Sequence, residues 1–167
     1  CVPGGRLLNR LTETGSARLS PAEVNRAYAQ AEVGLCLSPR EGAMRVAAEY
    51  QMAGLPIVAT PCRGGRDHYF DPETWIVVPP NPGAVRAAVE AMRARAIPRQ
   101  YVRQRTMERI ERDRRRFIGF VQSIIEQEGG DASFEPTFQR LWRGNLFERW
   151  LPMREFAAET WAALGGD

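Results

Sequence analysis

The sequence predicts an α/β fold with a partial doubly wound, Rossmann-like parallel sheet. Between residues 20 and 95, helical patterns alternate with short apolar runs across short connections, which is typical of βαβ units. The three predicted strands, 33–37, 57–60 and 75–78, are continuous apolar runs, as expected for strands that are buried on both faces. A long helix and a helical tail are predicted to follow this α/β region.

The sheet predicted from these residues is small, and its first strand, 33–37, would be an unprotected edge, which natural proteins avoid. The chain also begins without methionine, in what reads as a loop at 1–5. We therefore expect strands of a longer parent, or of another chain, to pair beside this edge. Residues 1–100 are predicted to form the partial α/β domain, and 101–167 the long helix with a helical extension packing on it.

Local signals define the start of the first helix. Ser20 is predicted as its N-cap, with Pro21 at the first helical position and Glu23 completing a capping box. The helix should run to about residue 31, and residues 1–19 are predicted to be mostly loop.

Similar signals place the next two helices. The second is predicted from about residue 43 to 52, with Gly54 at its C-terminal cap. An irregular loop with one helical turn is expected over 61–72. Asn81 should cap a third helix over 82–94.

Beyond Pro98 the pattern is helical. A long helix is predicted over 101–127, ended by Gly129-Gly130. A last helix is expected around 153–163. The apolar residues at helical spacing on one face of the long helix are Met107, Ile110, Phe117, Ile118, Val121, Ile124 and Ile125.

Composition excludes several kinds of chemistry. Every basic residue is arginine, which removes Schiff-base and lysine-nucleophile mechanisms. Cys1, Cys36 and Cys62 form no close pair and no metal-ligand spacing, so we expect reduced thiols in a cytosol, with Cys36 in the core. His68 is the only histidine, and no metal site is predicted. No apolar run is long enough to span a bilayer.

The loops at the carboxyl ends of the predicted strands form the candidate site, because ligands bind there in open α/β sheets. The first loop, 38–45, is rich in small residues and leads into a helix whose free N–H groups and positive dipole end attract phosphate. Glu41 lies in this loop and Glu49 about two turns along the helix, where their carboxylates can accept bonds from hydroxyls. A sugar nucleotide fits this pattern; the alternative is two solvated surface glutamates.

The chain also resembles a known family. Ser-Pro-Arg-Glu-Gly at 38–42, a second glutamate eight positions after Glu41, and Met-Ala-Gly-Leu-Pro-Ile-Val-Ala-Thr at 52–60 resemble the donor half of retaining GT-B glycosyltransferases of the group 4 type. The resemblance covers about residues 17–95. It implies the C-terminal half of a GT-B donor domain, which takes a UDP- or GDP-sugar as substrate and needs neither metal nor cofactor.

The resemblance also implies roles for individual residues. Glu41 matches the glutamate that lies near the donor sugar and its hydroxyls, and is the implied catalytic residue. Glu49 matches the glutamate that binds the nucleotide ribose. Gly64 and Gly65 match a glycine pair close to the donor in the next loop.

The residues after Glu41 match the family less closely. The backbone of Gly42, Ala43 and Met44 is implied to contact the sugar and the diphosphate. Arg45 is a departure from the pattern and either binds phosphate or is an exposed helix arginine. His68 stands where the family often has a glutamate, so the role of its loop stays open.

The family's basic pair, which clamps the diphosphate, and its acceptor-binding N-terminal domain have no counterpart in these residues. We therefore expect the missing N-terminal domain or strands to be a partner of this chain. The 167 residues alone are expected to bind a donor weakly and not to turn it over.

The sequence also bears on other possible functions. Glu108, Glu111 and Asp113 interleave with the arginines of 103–116, which favours a solvated, ion-paired helix face over nucleic-acid binding. Arginine beside aromatic residues at 138–143 suits peripheral contact with the inner face of a membrane, although packing against the N-terminal domain is favoured. A non-catalytic sugar-nucleotide-binding or regulatory subunit is a further alternative. No G-x-G-x-x-G follows a predicted strand, which disfavours a dinucleotide-dependent oxidoreductase.

Overall fold

The computed structural model describes Gly5, Leu8 and residues 10–12, 15–17 and 19–143. The chain divides into two compact units, Cys1–Glu111 and Arg112–Asp167. The helix predicted around 153–163 lies outside the described residues. Among the helices of the described part, none is both long and apolar enough to cross a bilayer.

A short hairpin precedes the α/β region. Strand β1 (Arg10–Thr12) pairs antiparallel with β2 (Gly15–Ala17), with Thr12 opposite Gly15. Residues 10–12 and 15–17 therefore differ from the prediction of mostly loop over 1–19. Strands of three residues are too short to show the alternation of polar and apolar residues by which strands are recognised.

Helix α1 (Pro21–Gln30) begins at the predicted capping box. The Ser20 hydroxyl accepts a hydrogen bond from the Glu23 N–H, and the Ser20 N–H donates to Glu23 Oε2 at 2.8 Å. Both bonds are local in sequence, which is why the residue types alone place this helix start.

The first unit contains a three-stranded parallel sheet. Its strands are β3 (Gly34–Cys36), β5 (Ile57–Ala59) and β7 (Trp75–Val77), in the order β3-β5-β7. The α/β class and the parallel sheet are thus confirmed. Two further strands, β4 (Arg40–Glu41) and β6 (Arg63–Gly64), form a separate parallel pair and were not predicted.

Helices cover both faces of the central strand. Ile57 and Ala59 pack in one cluster with Ala47 of α2 (Arg45–Met52), whereas Val58 packs in a second cluster with Ala88 and Met92 of α3 (Pro82–Ala94). Consecutive residues of β5 therefore enter opposite layers, as in a doubly wound sheet. Cys36 belongs to the first cluster, so its prediction as a core residue is confirmed.

Strand β3 differs from the expectation that both of its faces are buried. Leu35 lies opposite Val58 in the parallel register, yet its side chain is 44% exposed. In the described sheet β3 is an edge strand, so Leu35 has a neighbouring strand on one side only. An apolar run of this length does not reveal whether its strand is central or at an edge.

The predicted start of α2 is wrong, whereas the glycine predicted to cap its C-terminal end is confirmed. The helix begins at Arg45 rather than near residue 43, because Met44 has extended backbone angles and serves as the N-cap. At the other end Gly54 has a φ of +79°, a left-handed conformation that glycine adopts most easily. Asn81 caps α3 as predicted, and its Oδ1 accepts a hydrogen bond from the Ala84 N–H at 2.8 Å.

Helix α4 (Arg99–Gln127) begins two residues before its predicted start and ends as predicted. Gly129 has a φ of +80°, and the Gly130 N–H donates to the Ile125 carbonyl at 2.8 Å. In the first unit α4 buries Val102 and Thr106, while Met107, which belongs to the predicted apolar stripe, is 38% exposed.

The second unit contains the end of α4 and helix α5 (Phe134–Arg143). The rings of Phe117, Phe134 and Phe138 form a cluster with centroids about 6 Å apart. The Phe134 N–H donates to Gln122 Oε1 at 2.8 Å, which satisfies one free donor at the start of α5.

Asp71 attaches α4 to the loop before β7. Its buried carboxylate accepts from Arg105 Nε at 2.7 Å and lies 3.7 Å from Arg109. Burial raises the pKa of Asp71, but the hydrogen bonds from Arg105 and the Glu73 N–H, together with the two positive charges, outweigh it and lower the pKa below its usual 3.8. The ionised form is therefore the one that the fold stabilises.

We expect the free energy of unfolding to decrease as the pH falls below about 3.8, the unfolded-state pKa of Asp71. The folded pKa is lower than the unfolded one, so the contribution of Asp71 is complete above this pH and lost as the folded pKa is passed. Asp71→Asn should lower the stability at pH 7 and flatten the acid side of the profile, measured by urea unfolding. An equally steep acid loss in Asp71→Asn would contradict this assignment.

Candidate functional site

The loops that follow β3 and β5 meet beyond the carboxyl end of the sheet. In the β4–β6 ladder Glu41 lies opposite Gly64, and the Arg63 N–H donates to the Pro39 carbonyl at 3.0 Å. The structure thereby brings the predicted glutamate beside the predicted glycine pair, although the two motifs are distant in sequence.

The pairing of β4 with β6 requires glycine at position 64 of β6. Gly64 has a φ of +127°, and a Cβ there would lie 1.7 Å from the carbonyl oxygen of Glu41. A Cβ at Gly65 would lie 3.2 Å from the carbonyl oxygen of Gly42. At Gly42 itself a Cβ would meet nothing within 4 Å, so the backbone there is open to a ligand.

Arg66 joins the carboxyl ends of β3 and β5. Its side chain is fully buried and donates to the carbonyls of Cys36 at 3.1 Å and Thr60 at 2.7 Å, and to Asp67 Oδ1 at 2.9 Å. The sequence prediction missed this role. Nothing in the spacing distinguishes a buried arginine from an exposed one, because both partners of Arg66 outside its own loop are backbone atoms.

The loop between β4 and α2 exposes main chain. Gly42 and Ala43 are exposed, whereas Met44 is half-buried and packs its side chain against the cluster around Trp75. Glu41 is half-buried on β4.

The start of α2 carries unbalanced positive charge. Met44 provides no side-chain cap, and the first turn contains no acidic residue. Arg45 is exposed at the first helical position, although a positive charge is disfavoured at this end of the helix dipole. Arg40 and Arg63 lie opposite each other in the ladder, and within the described part no ion pair involves either of them or Arg45.

The pairing of Arg40 with Arg63 could not be predicted from the sequence, because it depends on the register between two loops. Like charges on directly opposite strand positions destabilise a sheet. An anion bound between Arg40 and Arg63 would offset the repulsion between them. The two arginines and Arg45 are therefore candidates for phosphate contact.

Glu49 lies on α2 and contacts α1 rather than the ladder. Its Oε2 accepts a hydrogen bond from the Tyr28 hydroxyl at 3.1 Å. Because α2 begins at Arg45, Glu49 lies about one turn along the helix and not two. Burial, and then the hydrogen bond to Glu49, raise the pKa of Tyr28 to about 12.

The other reactive side chains in the described part of the chain are His68 and the thiol of Cys36, together with Cys62. In the described residues, no group of three or more histidine, cysteine and acidic side chains could hold a metal ion. His68 is exposed in a 3₁₀ helix (Gly65–Tyr69), with its ring edge against Tyr69 at 5.3 Å between centroids. Burial raises the pKa of the Cys36 thiol to about 11, so it stays protonated at neutral pH.

A parallel sheet with glycine-containing loops and carboxylates beyond its strand ends defines the class of α/β proteins that hold ligands at this edge. The family model described as "Glycosyl transferases group 1" matches residues 6–95, more than half of the chain and all of the predicted site residues. The chain therefore belongs to the group 1 glycosyltransferases, which makes it a transferase of glycosyl groups. A search of curated proteins found no match to this chain.

Proposed function

We propose that this edge of the sheet binds the nucleotide-sugar donor of a retaining GT-B glycosyltransferase of the group 4 type, a UDP- or GDP-sugar. The observation that carries the proposal is the β4–β6 ladder, which sets Glu41 beside Gly64 and Gly65 in a chain of the glycosyltransferase family. The glycines allow close approach of the two loops, and the open backbone at Gly42 allows close approach of a ligand.

In this proposal the donor spans the site from Glu41 to Glu49. Glu41 accepts hydrogen bonds from hydroxyls of the donor sugar, and the backbone of Gly42 and Ala43 borders the sugar. Glu49 accepts from the ribose hydroxyls. Carboxylates suit both places because each offers several acceptor positions.

The diphosphate then lies at the uncapped start of α2. Free N–H groups and the helix dipole stabilise negative charge there, and Arg45, Arg40 and Arg63 add positive potential. Charge grows on the diphosphate as it leaves the sugar, so these groups act most strongly in the transition state.

We propose that a further strand pairs with β3, whose Leu35 is exposed at the edge of the described sheet. A partner domain would bring the acceptor and the remaining groups of the diphosphate clamp. The expectation that the chain alone does not turn over stays a prediction, as do its cytoplasmic location and peripheral membrane contact.

The test is a thermal-shift screen against UDP-, GDP- and ADP-sugars, since a ligand that binds the folded state raises its melting temperature. We expect one donor to bind and Glu49→Gln to weaken it about tenfold, because hydrogen bonds to a charged group contribute about 1.5–3 kcal/mol. Glu41→Gln should weaken the binding of the sugar nucleotide but leave the binding of the free nucleoside diphosphate unchanged.

Glu90→Gln, on the exposed surface of α3, is the matched control and should leave binding unchanged. Because the chain alone is expected to bind weakly, the proposal fails if no sugar nucleotide shifts the melting temperature even at concentrations high enough to detect weak binding. It also fails in its site assignment if Glu49→Gln binds the donor as well as the unchanged protein does.

A further inference from the structure

Glu49 is held in place by a tyrosine of another helix. We propose that Tyr28 is a positioning residue that orients Glu49 and thereby sets a preference for ribose over deoxyribose in the donor. This inference rests on the proposed function, in which Glu49 meets the ribose. It assigns Tyr28 a part in ligand selectivity although Tyr28 need not touch the ligand.

The hydrogen bond from Tyr28 occupies one oxygen of the Glu49 carboxylate and leaves the other oxygen for a ligand. The Tyr28 hydroxyl donates to Oε2 at 3.1 Å, and in the described part of the chain Oε1 has no hydrogen-bond partner. With its pKa near 12, the Tyr28 hydroxyl keeps its proton at neutral pH and can act as a donor to the carboxylate. Oε1 can therefore accept from two neighbouring hydroxyls while Oε2 stays bound to Tyr28.

The ring of Tyr28 is fixed by packing. It meets the ring of Tyr50 edge to face, with centroids 5.1 Å apart and planes at 77°. Tyr50 in turn lies against the backbone of Gly34, where a Cβ would approach its ring to 2.4 Å. A line of contacts thus runs from β3 through Tyr50 to Tyr28.

The backbone of Tyr28 is fixed as well. The Arg99 guanidinium donates to the carbonyls of Tyr28 at 3.2 Å and Ala29 at 3.1 Å, and also to that of Ala31, all at the end of α1. It donates in addition to the carbonyl of Ala53, at the end of α2, at 3.3 Å. One side chain therefore binds the ends of the two helices that carry Tyr28 and Glu49, which sets the distance between them.

These contacts give a physical reason why the exposed Glu49 can distinguish ribose from deoxyribose. A glutamate on a helix surface samples several rotamers, and a ligand that binds it must select one of them. Here the bond from Tyr28 selects the rotamer before the ligand arrives, so both ribose hydroxyls meet an acceptor already in place. A deoxyribose leaves one of these acceptor positions without its partner.

The test measures dissociation constants of UDP and GDP and of their 2′-deoxy forms by titration calorimetry. We expect the unchanged protein to bind its ribonucleotide about tenfold more tightly than the deoxy form, and Tyr28→Phe to reduce this ratio about threefold or more. Tyr50→Phe is the matched control: it also removes a tyrosine hydroxyl from the same packing, and it should keep the ratio.

The ratio is the decisive quantity because both ligands bind the same folded fraction, so a loss of stability in a variant does not change it. If Tyr28→Phe keeps the ratio while Glu49→Gln abolishes it, the role of Tyr28 is refuted and that of Glu49 stands. If Glu49→Gln keeps the ratio too, or if neither nucleotide binds the unchanged protein, the proposed function is refuted together with this inference.

Discussion

Replacing Arg66 with methionine is expected to lower the free energy of unfolding by about 3 kcal/mol. The side chain is fully buried and makes charge-assisted hydrogen bonds to the carbonyls of Cys36 and Thr60. Methionine fills much of the space but removes the Arg66 donor from the Thr60 carbonyl and leaves the Cys36 carbonyl with only the Thr60 N–H at 3.3 Å, in a site that excludes water. The cost of these lost hydrogen bonds exceeds the gain from the added apolar burial.

Urea unfolding followed by circular dichroism measures this change as a lower midpoint at an unchanged slope. Arg86→Met, on the exposed surface of α3, is the control and should have a small effect. We also expect Arg66→Met to weaken donor binding, because Arg66 holds together the two strand ends from which the site loops depart. Wild-type stability in Arg66→Met would show that these carbonyls do not depend on the guanidinium.

Replacing Gly64 with alanine is the second large effect that we expect, a destabilisation of about 2–4 kcal/mol. Its φ of +127° strains any other residue, which alone costs about 1–3 kcal/mol. The new Cβ would also lie 1.7 Å from the carbonyl oxygen of Glu41, so the backbone of β4 or β6 must move. The movement separates Glu41 from the glycine pair.

The matched control is Gly42→Ala, since a Cβ there meets nothing within 4 Å and the stability should hardly change. Donor affinity is expected to fall at least tenfold in Gly64→Ala at a temperature where the variant is still folded. A Gly64→Ala variant with unchanged stability and affinity would mean that the ladder is not needed for either.

The two substitutions separate two properties of the site. Arg66 supports the loops from inside the fold, and Gly64 permits their contact at the surface. Arg66 acts through the carboxyl ends of β3 and β5, and Gly64 acts through its place opposite Glu41. The site is therefore expected to be sensitive to Arg66, which its motifs do not include, as well as to Gly64, which they do.

The features that the sequence predicted well depend on neighbours along the chain. The capping box of α1, the Asn81 cap of α3 and the glycines after α2 and α4 each involve atoms within a few residues of one another. The strands at 57–59 and 75–77 were recognised because apolar runs of that length are buried in parallel sheets. The resemblance placed Glu41, Glu49 and the glycine pair in one site, which remains a proposal.

The features that the sequence did not reveal depend on contacts between distant segments. The β4–β6 ladder has strands of two residues, which have no period to detect. Leu35 is exposed because of the place of its strand in the sheet, and the start of α2 is displaced because Met44 is extended. None of these outcomes follows from residue type alone.

By itself, the sequence determined the α/β class, most helix ends, the central strands and the family, because caps, turns and apolar runs act over short stretches of chain. Only the tertiary structure decided that Arg66 is buried against the ends of β3 and β5, that Arg40 lies opposite Arg63, and that Tyr28 binds Glu49. Those contacts join residues far apart in the chain, and the energy of each depends on burial and distance rather than on spacing.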